Sequence, residues 1–168
     1  MPTNTYEAIF TETLASAQAS VTFSSIPATY TDLVLVCNVK STTTTNAYLR
    51  VRYNGDTGNN YSITVLSGNG TAASSTRGSN TSVAYLNYNF TMPTTMQTAI
   101  ISNIQNYSNT TTYKSAINRS NIASQGVEAM VTLWRSTAAI NSITISTDNG
   151  GAIIDTGSTF SLYGIKAA

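Results

Sequence analysis

Histidine is absent from this chain, cysteine occurs once, proline three times, and only 9% of the 168 residues are charged. Each shortage removes a class of chemistry. Without histidine there is no Ser-His-Asp or Cys-His catalytic apparatus, no histidine-containing zinc site and no imidazole pH switch. A single cysteine, Cys37, excludes an intrachain disulfide and a multi-cysteine metal cluster. Ordinary soluble domains are about 25% charged. Here 8 basic and 7 acidic residues leave a net charge of +1, far from the clustered Lys and Arg of a nucleic-acid surface. The composition points to a non-enzymatic protein with no cofactor, no metal and no nucleic-acid partner.

No apolar run approaches the ~18–20 residues of a membrane-spanning helix, so no membrane partner is expected. The opening MPTNTYEAIF has neither the basic nor the apolar stretch of a secretory signal. A soluble chain made in a cytoplasm is expected, and a lone cysteine suits that compartment. Threonine, serine and asparagine take the place of the charges, at about two-fifths of the residues. Threonine favours strands, whereas asparagine and serine favour turns. With 41% hydrophobic residues and ten tyrosines, the chain has enough apolar surface to offset chain entropy. It is read as one domain, residues 1–168, hiding roughly 68–70% of its unfolded surface. Residues 1–6 are read as an extended N-terminal arm.

The hydrophobic period is 2. Ala47, Leu49, Val51 and Tyr53 alternate with Tyr48, Arg50, Arg52 and Asn54. The segment TDLVLVCNVK (31–40) puts Leu33, Leu35, Cys37 and Val39 on one face and Val34 and Val36 on the other. Such two-faced burial suits a central strand or one covered by another subunit. In 98–107, Ile100 and Ile104 share a face with Ile101 opposite; in 127–134, Val127, Ala129, Val131 and Leu133 alternate with Glu128, Met130, Thr132 and Trp134. Shorter strand candidates are 6–14, 20–26, 61–66, 82–88, 113–118, 140–147 and 159–166, of which 61–66 is also compatible with a short helix. Residues 42–46, 67–80 and 89–95 read as loops. About ten short strands at regular spacing predict an all-β fold, an antiparallel β-sandwich of jelly-roll type. Its core is expected to include Leu33, Leu35, Cys37, Leu49, Val51, Ile100, Val131 and Leu133.

Few residues suggest chemistry. Cys37, between Leu35 and Val39 on its face, reads as a small buried hydrophobe with no adjacent cation to lower its pKa. The seven carboxylates, Glu7, Glu12, Asp32, Asp56, Glu128, Asp148 and Asp155, are scattered singly and show no paired-acid pattern. The run Asn54-Gly55-Asp56-Thr57-Gly58-Asn59 has the look of a calcium loop but offers one carboxylate, where calcium takes about six to eight oxygens. It reads as a turn. Seven Asn-x-Ser/Thr triplets are close to the number chance gives in such a composition, and carry no weight. The tyrosines admit three readings: core packing, a subunit interface or stacking on a sugar. Tyr85, Tyr88 and Phe90 lie close together, and Tyr48, Tyr53 and Tyr61 flank the Asn/Gly turn. These six residues form the candidate interface.

The segments VTFSSIPATYTDLVLVCNVKS, YLRVRYNGDTGNNYS, IQNYSNTTTYKSAINRS and the closing LWRSTAAINSITISTDNG and GSTFSLYGIKAA resemble β-sandwich proteins of tailed-bacteriophage virions. The resemblance spans most of the chain, and IPATYTDL, NGDTGNNY, WRSTAAINSI and FSLYGIK are its most specific parts. Such domains occur as small standalone virion proteins and as tail-fibre modules, so the resemblance implies a structural role and brings no catalytic residues. Two locations follow from it. One is a capsid decoration, or cement, protein on the outer capsid surface, bound to the major capsid protein. The other is a receptor-binding or glycan-binding module of the tail. A glycan-acting enzyme is the remaining class. A chain that begins at once with β structure and carries no coiled-coil heptads favours the first, and uncharged polar contacts tolerate changes of salt. A homotrimer is expected from the two-faced strand, the tyrosine excess and the three-fold packing that the resemblance implies. Synthesis is expected in the host bacterial cytoplasm.

Overall fold

The computed structural model describes residues 5–148, 151 and 153–166, so most of the arm expected over residues 1–6 lies outside the described residues. Twelve strands and no helix are found among them. The strands are β1 (Tyr6–Thr13), β2 (Ser20–Phe23), β3 (Asp32–Val39), β4 (Leu49–Tyr53), β5 (Tyr61–Gly68), β6 (Ala73–Thr81), β7 (Ala84–Tyr85), β8 (Thr98–Gln105), β9 (Lys114–Ile122), β10 (Gly126–Trp134), β11 (Ile143–Thr147) and β12 (Thr159–Ile165). They build two antiparallel sheets, one of eight strands in the order β1-β12-β3-β8-β9-β10-β5-β6 and one of four in the order β2-β11-β4-β7. The fold is an all-β sandwich, and its strand order is compatible with a jelly roll.

Alternation sets the core. Leu33, Leu35, Cys37 and Val39 of β3, Ile100 and Ile104 of β8, and Phe160 and Leu162 of β12 face Leu49, Val51 and Tyr53 of β4, Ile143 and Ile145 of β11, and Val21 and Phe23 of β2. A smaller cluster of Ile63, Val65 and Met130 lies under Tyr85 and Tyr88. Cys37 is fully buried, and burial pushes its thiol pKa far up. Two of the eight expected core residues are misplaced: Val131 is 51% exposed and Leu133 is half-buried. The opposite phase of β10 faces inward, with Glu128, Met130, Thr132 and Trp134 all buried. Trp134 decides the phase. Its ring packs on Tyr61 and Tyr53, centroids 6.4 and 5.6 Å away, and a period of 2 then turns every odd residue outward.

Further departures concern strand limits. Residues 61–66 are strand, not helix. The expected loop 67–80 is largely the nine-residue edge strand β6, joined to β5 by a tight turn. In that turn Asn69 Oδ1 accepts the amides of Thr71 and Ala72 at 3.0 and 2.8 Å, and Gly70 takes a φ of 88°. No residue of β6 is more apolar than Ala73. The ladder to β5 holds it, because each backbone amide needs a partner whatever its side chain. The expected strand 82–88 contracts to Ala84–Tyr85.

Candidate interaction surfaces

Six of the seven carboxylates are committed to bonds within the chain. Glu7 pairs with Lys166 at 2.7 Å, which holds its carboxyl below the ordinary range, and accepts Tyr30 Oη–H at 3.1 Å. Asp148 pairs with Arg50 at 2.8 Å and Asp155 with Lys40 at 2.7 Å. Asp32 accepts the Asn106 amide at 2.7 Å. Glu128, 4% exposed, accepts the amides of Tyr88 and Asn89 and the Ser120 hydroxyl, so it pins the segment after β7 to the interior of β10. Among the described residues no group of three or more Cys, Asp and Glu is placed to hold a metal ion.

The Asn/Gly run forms a tight turn closed by its own aspartate, carrying the chain from β4 of one sheet to β5 of the other. Asn54 and Gly55 have φ of 52° and 67°, and the Asp56 amide donates to Tyr53 O at 3.0 Å. Successive positive φ values are adopted at least cost by Asn and Gly. Asp56 then accepts three donors: Gly58 N–H at 2.8 Å, Asn60 Nδ2 at 2.9 Å and Trp134 Nε1 at 2.7 Å. Burial raises its pKa, but these donors outweigh burial and leave the carboxyl below its ordinary value. With both oxygens engaged, the run is a turn that seats Trp134.

The six candidate aromatic residues divide. Tyr53 and Tyr61 are 2% and 0% exposed and belong to the core. Tyr61 Oη accepts the Tyr53 amide at 3.1 Å, and burial pushes its pKa up to about 12. These two offer no surface to a partner, so on them the interface expectation is corrected to core packing. Tyr48, Tyr85, Tyr88 and Phe90 are half-buried. Tyr85 and Tyr88 meet edge-on, centroids 5.0 Å apart, above the second core cluster. Tyr85 stands opposite Arg50 in the β4–β7 pair, beside the Arg50–Asp148 ion pair. Tyr85 and Tyr88, with Tyr48 near Tyr85, gather at the β7 edge of the small sheet, whereas the Phe90 ring lies apart, against Gly126 at the start of β10.

A second surface escaped the sequence reading. Leu66, Val127, Val131 and Ile117 stand on the outer face of the eight-stranded sheet, 61, 59, 51 and 44% exposed. Their strands β5, β10 and β9 are adjacent, with Ala129 opposite Leu66 and Val131 opposite Ile117. At one end of this face the strands from β8 to β6 enclose an open groove of about 700 Å³. Leu66, Ala99, Ile101, Val127 and Ala129 line it together with Arg119 and Asn121, and no aromatic ring does. The available signal was that β10 carries apolar residues in both phases, only one of which can face the other sheet. By contrast, Val34 on the outer face of β3 is only 6% exposed within the single chain, between Asn103 and Tyr163 in register. In comparisons with known proteins, no family model and no curated protein matches this chain.

Proposed function

We propose that this chain is a non-enzymatic structural protein of a tailed-phage virion, a decoration protein that binds the outside of the head and stabilises it. The exposed apolar face of β5, β9 and β10 is the observation that carries this reading. Isolated apolar residues are ordinary on a surface, but a contiguous set on adjacent strands marks a contact site. The commitment of six carboxylates to internal bonds fits a protein that works by surface contact, as does the resemblance described above. Modest contacts repeated around a symmetric shell add through multivalency. The chain associates as a homotrimer in this reading, with Tyr48, Tyr85, Tyr88 and Phe90 at the subunit contact. Light scattering then gives about three times the 17.8 kDa chain mass; a monomer at micromolar concentration contradicts the trimer.

The alternative is a receptor-binding or glycan-binding tail module, favoured by the tyrosine patch, since aromatic rings also stack on sugars. Copy number in purified particles separates the two. A decoration protein is present in hundreds of copies on the order of the capsid subunits, and a tail module in tens at most. A count in the tens contradicts the proposal.

A further inference from the structure

We propose that the outer face over β5, β6, β9 and β10 is the surface that seats on the head, where it receives an apolar ridge of the shell protein flanked by carboxylates. This inference rests on the virion reading. Its ground is the charge on the face as well as its apolarity. Arg77 and Arg119 are exposed there, opposite Thr64 and Ala129 in register. Among the described residues neither guanidinium has an ion pair or hydrogen bond. Strands β5, β6, β8 and β9 contain no acid; the one acid of β10, Glu128, borders the groove, but it is 4% exposed and its carboxylate is taken by the amides of Tyr88 and Asn89 and the Ser120 hydroxyl. The face is therefore apolar and cationic, with no internal complement.

A guanidinium among apolar side chains recognises a carboxylate with two parallel hydrogen bonds, in the geometry for which its planar fork is suited. The apolar side chains around it gain when a ridge of similar character covers them. A second copy seated on the same face brings arginine against arginine, and facing like charges disfavour a contact. A sugar finds no ring in the groove to stack on. The occupant with the matching chemistry is a different protein surface, apolar with acidic flanks.

The test uses heads that lack this protein. Purified chain is added over a range of concentrations, the heads are pelleted, and bound copies are counted on stained gels. Wild type and a control away from this face, Ser24→Lys at the exposed residue just after β2 of the other sheet, are expected to saturate the heads at the same concentration. Val127→Lys combined with Val131→Lys, and separately Arg119→Glu, are expected to weaken binding at least about tenfold, with Arg119→Lys weakened less than Arg119→Glu. Circular dichroism and the melting temperature establish that each variant is folded; if the double variant is not, Arg119→Glu decides alone. Folded variants that bind like wild type overturn the inference and leave the virion reading in place. Wild-type chain that does not bind heads overturns both. Loss of the wild-type oligomer in the valine double variant, read by light scattering, shows a contact between copies and also overturns the inference.

Discussion

Trp134 Nε1 donates a 2.7 Å hydrogen bond to Asp56 Oδ2 across a separation of 78 residues. One bond thereby joins the tip of the turn after β4 to the last residue of β10, strands that belong to different sheets. It fixes which phase of β10 faces the core, and so which residues the outer face presents.

Asp56→Ala is expected to lower stability by about 1.5–3 kcal/mol, since it removes a charged acceptor from three donors, one of them a buried indole. The folded carboxyl lies below its ordinary value of 3.8. Its contribution is therefore present above that value and is lost as pH falls through the lowered folded pKa. Urea unfolding followed by the fluorescence of the single tryptophan measures this. The gap between wild type and variant should be full at neutral pH and shrink well below pH 4. A gap that does not change on acidification contradicts the role given to the ionised carboxylate.

Leu35→Ala and Val131→Ala test the assignment of faces. Leu35 is 1% exposed between the sheets and Val131 is 51% exposed. The first is expected to cost about 2–5 kcal/mol and the second about 0.5 kcal/mol or less, by urea midpoints under one set of conditions. Equal costs mean that β10 faces the other way.

Gly164→Ala should be costly despite adding one methyl group. A Cβ at Gly164 comes within 2.3–2.5 Å of the Tyr30 ring. That ring lies 5.8 Å from Lys166 Nζ and its hydroxyl donates to Glu7. Displacing it loosens the junction of β1 and β12, at about 1–3 kcal/mol. Thermal melts of the variant alone and combined with Tyr30→Ala read the coupling. If the second substitution leaves the alanine penalty unchanged, the ring is not its cause.

Strand positions were legible wherever one phase is clearly more apolar than the other. Strands β3, β4 and β8 carry one dominant buried phase, and the sandwich followed from them. Strand β10 was misphased because Val127, Val131 and Leu133 outweigh Glu128 and Thr132 on any hydropathy count. The balance is reversed by contacts distant in sequence, Trp134 with Tyr53 and Tyr61, and Glu128 with the amides of Tyr88 and Asn89. Strand β6 was invisible because SSTRGSN has no apolar pattern and its strand character comes from pairing with β5. The same misphasing hid the outer face. The tyrosine cluster was legible as a set, but its division into core and surface depended on the sheet each strand joined.

The most direct test compares particles made without this protein, and particles to which it has been restored, for survival of heat or low salt and for adsorption to cells. Weaker heads that adsorb normally, and that regain strength when the chain is restored, are the expected result. Heads of unchanged strength that fail to adsorb would contradict the account and place the chain's work at the tail.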